Sequence, residues 1–170
     1  MRPLVFNSTP LIYLTKVGLS EVLEHLKGEK LTSPRVKREV VYEGKRRGVP
    51  DAIVLEKLFE NNVFKVVEPK DQKLLSRLVE TKGLHMTDAE VLTLAKERKG
   101  QAVIDDEVAR KTAKIYGIFY VGTPYILMRA VLEKSITKER AKHAINDMVS
   151  SGWRCSVETY TKIIEAFEKT

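Results

Sequence analysis

Two adjacent carboxylates, Asp105 and Asp106, follow the short apolar run Ala102-Val103-Ile104. At the end of a buried strand such a pair repels itself unless a cation or a basic group neutralises it. One Asp is enough to cap the helix that begins nearby, so the pair carries more acid than capping needs. A second polar cluster, Asn7-Ser8-Thr9, ends the apolar run Leu4-Val5-Phe6. These three can bond their own backbone as turn formers ahead of Pro10, or they can face a ligand.

Two further acids sit on helices. Asp88 lies in Thr87-Asp88-Ala89-Glu90, a pattern that fits a capping box in which Glu90 reaches back to Thr87. An acid at the first helical position also suits the helix dipole. Glu39, in Val36-Lys37-Arg38-Glu39-Val40, falls at the edge of an apolar helical stripe, with Glu43 one turn on. It reads equally as a surface carboxylate paired with Arg35, Lys45 or Arg46. The histidines, His25, His85 and His143, stand at no ligand or relay spacing, and Trp153 reads as a packing residue.

The elements that must position these groups alternate. Strands are expected at 4–6, 30–32, 64–67, 102–104 and 119–121. Between them the pattern predicts helices at 10–17, 19–27, 34–47, 51–60, 71–82, 87–99 and 108–116. Helices at 123–134, 137–151 and 156–168 close the chain. Ser33-Pro34 is a clear helix start, with Ser as N-cap and Pro at the first position. Gly48-Val49-Pro50, Gly83, Gly100 and Gly117 are stops. Strands alternating with helices imply a mostly parallel sheet covered on both faces, an α/β/α sandwich. Ligands of such sheets bind beyond the carboxyl ends of the strands, where the strand order reverses. That is where Asn7 and the Asp105-Asp106 pair fall.

Composition narrows the chemistry. At 170 residues the chain is the size of one domain, and no apolar run approaches the ~18 residues of a membrane span. The lone Cys155 excludes an intramolecular disulfide framework and a cysteine zinc site. With no signal-peptide pattern at the start, the cytoplasm is the expected compartment. No Gly-x-Gly-x-x-Gly follows the first strand and no Gly-Lys-Ser/Thr occurs, which disfavours dinucleotide and P-loop nucleotide binding. Thirty Lys and Arg against 23 Asp and Glu give a net charge of +7, compatible with a polyanionic partner once those charges share a face. Seventeen Glu beside two Gln and four Asn match the amide-poor composition of thermophile proteins.

Taken in order, these pieces resemble the PIN-domain nucleases, in particular a prokaryotic PIN-like, VapC-toxin-like subgroup of unassigned function. The resemblance runs from Val5-Phe6-Asn7-Ser8-Thr9-Pro10-Leu11-Ile12 through Pro34–Val40 and Thr87–Glu90. It continues through Val103-Ile104-Asp105-Asp106-Glu107-Val108-Ala109-Arg110 and Gly122-Thr123 to Gly152-Trp153-Arg154-Cys155-Ser156. It implies a three-layer fold with a five-stranded sheet in the order 3-2-1-4-5. The whole chain, 1–170, is then one PIN-like domain with a C-terminal helical extension over about 135–170.

The resemblance also implies a site. PIN domains gather acids at positions that here are Asn7, Glu39, Asp88 and Asp106, with Asp105 close by. Glu39, Asp88 and Asp106 are the expected catalytic, metal-holding groups. Such an all-oxygen set favours Mg²⁺ or Mn²⁺ over softer metals, and the family's usual substrate is RNA. Where the family usually carries Asp, this chain has Asn7, which keeps a ligating oxygen and loses a charge. Ser8, Thr9, Arg110, Lys111 and Lys114 are the expected substrate contacts, with Lys45-Arg46-Arg47 a second basic run.

The leading expectation is therefore a metal-dependent endoribonuclease, the toxin of a toxin–antitoxin pair, with RNA and a small antitoxin protein as partners. A homodimer is a further expected partnership, using Ile136, Ile145, Met148, Ile163 and Phe167. A catalytically impaired nucleic-acid- or protein-binding module is the alternative. A phosphate-ester hydrolase working through an aspartyl nucleophile is weaker, because the first strand carries no Asp.

Overall fold

In the computed structural model, which describes residues 1–170, β1 (Leu4–Phe6) is buried along its whole length. An apolar triplet with no polar alternation has to be covered on both faces, and that makes it a central strand. Its neighbours are β2 (Lys30–Thr32) on one side and β4 (Gln101–Val103) on the other. β3 (Lys65–Val66) and β5 (Phe119–Val121) form the edges, giving an all-parallel sheet in the order β3-β2-β1-β4-β5. The chain moves outward from β1 to β3 and then returns to the far side of β1 for β4. The reversal between β1 and β4 opens a crevice at their carboxyl ends.

Eleven helical segments and one irregular turn surround this sheet. They are α1 (Ser8–Lys16), α2 (Ser20–His25), α3 (Pro34–Lys37), α4 (Gly44–Arg46), α5 (Asp51–Glu60), α6 (Gln72–Val79) and α7 (Met86–Glu97). After them come α8 (Glu107–Ile115), α9 (Thr123–Leu132), α10 (Lys138–Ser150) and α11 (Val157–Glu168). Between α3 and α4 the residues Arg38–Glu43 wind as a π-helical turn. The sequence reading of one regular helix over 34–47 is corrected here: the backbone carries an extra residue in mid-helix. Single π-turns inside α-helices are frequent at functional sites, and this one holds Glu39.

A continuous cluster of buried apolar side chains runs from Leu4 to Phe167. Phe6 packs edge-to-face on Phe64 with centroids 5.4 Å apart, so truncating Phe6 to Ala costs about 3–5 kcal/mol. At the opposite end of the sheet Gly100 is needed for close approach. A methyl there would stand 2.7 Å from the Pro3 carbonyl oxygen, and β4 could not lie against β1. Ile145, Met148 and Phe167 are fully buried and Ile136 and Ile163 half-buried against the same core. The side chains expected to serve a homodimer face therefore fasten α9–α11 to their own sheet. No helix is long and apolar enough to cross a membrane.

Candidate functional site

Asn7 is the first residue beyond β1, and its backbone N–H still donates to the Val103 carbonyl of β4 at 3.1 Å. The side chain is thereby pinned at the crevice. It also N-caps α1: its Oδ1 accepts from the Ser8 N–H at 2.8 Å. That bond fixes the amide's orientation, because a backbone N–H can only face an acceptor. The Nδ2 group then points the other way and donates to Asp88 Oδ1 at 2.6 Å. Asn7 thus meets Asp88 as a donor, whereas the sequence reading has it offering a ligating oxygen.

Asp88 is buried, with 4% of its surface exposed. The capping box expected between Thr87 and Glu90 does not form. α7 starts one residue earlier, at Met86, and Asp88 Oδ2 accepts from the N-cap His85 N–H at 3.0 Å. Glu90 instead pairs with Arg35 at 3.0 Å. Burial pushes the Asp88 carboxyl above the ordinary value, the bonds from His85 and Asn7 pull it partly back, and the negative charge of Asp106 raises it again. Asp88, carried by α7, and Asp106, carried by β4's exit, therefore sense each other across the crevice.

Asp106 is exposed and N-caps α8, its Oδ2 accepting from Ala109 N–H at 2.9 Å. Glu39 is exposed on the π-turn, and its Oε2 accepts from Thr87 Oγ1 at 3.2 Å. None of its expected surface partners takes it: Arg35 pairs with Glu90, Lys45 with Glu56 and Arg46 with Glu43. Thr87 immediately precedes Asp88, so the bond draws Glu39 toward the same rim.

Asp105 is engaged elsewhere. Its Oδ1 accepts from Thr123 N–H at 2.8 Å and its Oδ2 from Thr123 Oγ1 at 2.6 Å. The Trp153 indole N–H adds a third bond, 3.1 Å from Oδ2, and an Arg110 guanidinium nitrogen lies 3.5 Å from Oδ1. Arg110 Nε in turn donates to the Ile104 carbonyl at 3.0 Å. This carboxylate, 7% exposed, has every approach occupied. Among the other expected contacts, Ser8 is buried with its hydroxyl unpartnered, and Thr9 lines a groove beside Asp106. Lys111 pairs with Glu107 at 2.7 Å on the open surface, and Lys114 is exposed. What the sequence reading missed is the role of the tail. Its one available signal was Trp153, since a buried indole N–H needs an acceptor.

The donor set fits a hard divalent cation in kind: carboxylate oxygens with no thiolate, two of them mutually repelling and neither in an ion pair. No three His, Cys, Asp or Glu side chains stand close enough to share an ion. Mg²⁺ is commonly held by one or two carboxylates with water completing its shell, so Asp88 and Asp106 can suffice.

A family model described as PIN domain matches residues 3–169. No curated protein matches the chain. Among solved structures it is similar to PAE2754 from Pyrobaculum aerophilum, at a TM-score of 0.55 and 15% identity over 76% of this chain and 98% of that one. At that identity the likeness concerns the fold, an α/β sheet in the order already described. Strand order, the acids at the crevice and the match along nearly the whole length agree, and the chain belongs to the PIN-domain family.

Proposed function

We propose that the protein is a metal-dependent ribonuclease that hydrolyses RNA phosphodiester bonds at the crevice between β1 and β4. The observation that carries this reading is the pair Asp88 and Asp106, two mutually repelling carboxylates that enter no ion pair, at the reversal of strand order. Asp88 and Asp106 would hold Mg²⁺ or Mn²⁺, with Glu39 acting from the rim through water. When bound, such an ion neutralises phosphate charge and lowers the pKa of a water. Glu39, at the exposed rim with one oxygen unbonded, would orient that water. Asn7 holds Asp88 in place, and Asp105 anchors the loop that presents Asp106. The residues 1–170 act as one domain, a reading supported by the single core from Leu4 to Phe167. In a toxin role, in the cytoplasm, it pairs with a small antitoxin protein, and a homodimer belongs to the same reading.

The test is cleavage of a labelled RNA by purified protein with Mn²⁺ or Mg²⁺, beside Asp106→Asn. Asn keeps the helix cap and removes the charge, so a folded but inactive variant supports the proposal. Equal cleavage by both proteins rejects it. One observation favours a second reading, a binding module that no longer cuts: the Asn7 amide gives Asp88 a resident donor where a third carboxylate would strengthen a metal site. That reading expects RNA binding with no cleavage under either metal.

A further inference from the structure

Beside Asp106 lies a cleft of about 980 Å³, bounded on one side by Thr9 and Tyr13 of α1 and on the other by the segment 152–156. We infer that this segment, latched by Trp153 onto Asp105, is the second wall of the substrate cleft, and that Arg154 is its contact to the RNA phosphates; this rests on the nuclease reading. Three features support it.

The first is charge. Asp105, Asp106 and Glu107 all line the cleft, and a phosphate entering it meets repulsion unless cations offset them. Arg110 is committed to Asp105 and to the Ile104 carbonyl. Arg154 is exposed, lines the cleft and enters no ion pair. It is the free cation on that wall, and a guanidinium fork suits phosphate oxygens.

The second is fixation. The turn into the segment passes through Gly152 at φ +100°, a conformation that side chains with a Cβ resist. The Trp153 N–H then donates to the Met148 carbonyl at 2.9 Å, and its indole bonds Asp105. Arg154 follows directly, so its backbone is held where Asp106 is held. Asp105 therefore joins the loop bearing Asp106 to the wall bearing Arg154.

The third is size. The cleft falls at the upper end of the ~300–1,000 Å³ typical of ligand sites. That accommodates a few nucleotides of an unpaired strand beside Asp106.

The experiment measures binding of a fluorescein-labelled, unstructured oligoribonucleotide in excess chelator, across a salt series, with cleavage assayed separately. Arg154→Ala is expected to weaken binding about three- to tenfold and to flatten the salt slope by about 0.7, the share of one phosphate contact on a single strand. Arg154→Lys should restore the slope, and Lys169→Ala, far from the cleft, should match wild type. Emission from Trp153, the chain's single tryptophan, should change on saturation. Unaltered affinity and slope in Arg154→Ala would overturn the inference, as would unaltered Trp153 emission at saturation. Those results leave Asp106-dependent cleavage standing. Conversely, Arg154-dependent binding without cleavage removes the nuclease reading and keeps the wall.

Discussion

The Asn7 amide nitrogen stands 2.6 Å from Asp88 Oδ1, and the same amide's oxygen caps α1. One neutral side chain thereby ends a strand, starts a helix and restrains the most buried acid of the crevice. Replacing it with Asp keeps the cap and turns the bond to Asp88 into a repulsion. Asn7→Asp should therefore destabilise the chelator-treated protein by about 1–3 kcal/mol and raise its affinity for Mn²⁺. Thermal melts with and without Mn²⁺, plus a calorimetric titration, check both halves. Equal Mn²⁺ affinity in the two proteins would remove the case for Asn7 as a weakened ligand position.

Asp88 gives the fold a pH signature. Folding raises its pKa above the usual 3.8, so the folded chain keeps this proton to higher pH than the unfolded chain. Its contribution to stability is fully present below 3.8 and is lost as pH rises through the higher folded value. In chelator, the melting temperature of wild type minus that of Asp88→Asn should grow as pH is lowered through that window. A difference that stays constant from pH 8 to pH 4 would contradict the assignment. Metal affinity should run the opposite way, failing at a higher pH than an ordinary carboxylate would require.

The adjacent acids should behave differently on truncation. Asp106→Ala removes one helix cap and should cost about 1 kcal/mol. Asp105→Ala strands the Thr123 and Trp153 donors and the inward Arg110, for about 3 kcal/mol. Urea midpoints at constant slope measure the two. Equal costs would mean that Asp105 anchors nothing.

Cys155 reports on the same anchor. Burial is the main reason its thiol is pushed above the ordinary value, with Arg110 and Asp105 acting in opposite senses. It should alkylate slowly at pH 8, since the thiolate is the nucleophile. Trp153→Phe, which keeps the ring and loses the N–H, should speed labelling severalfold as the segment loosens. Mass spectrometry of timed iodoacetamide reactions would show it, and an unchanged rate would count against the latch.

The sheet was legible because its signals are local. Leu4-Val5-Phe6 and Phe119-Tyr120-Val121 stand as read, and β2 lies where Lys30-Leu31-Thr32 placed it. β4 begins and ends one residue earlier than expected, at Gln101–Val103, though the Ile104 N–H still donates to the Val121 carbonyl of β5. The start of α7 was misread for a physical reason. Asp88 and Glu90 offer equivalent caps by spacing, and only the tertiary pull of Arg35 on Glu90 decides between them. The different work of Asp105 and Asp106 was likewise hidden, since it depends on Thr123 and Trp153, 18 and 48 positions away.

The irregular turn at Arg38–Glu43 has a consequence for how this chain tolerates change in length. Each helical residue advances the winding by about 100°, and the surplus residue there sets the direction in which Glu39 leaves the backbone. Deleting one position between Lys37 and Gly44 would let the stretch relax to regular winding and swing that carboxylate away from Thr87, while the valines underneath could still find the core. Shortening this helix should silence the protein more thoroughly than most substitutions along it.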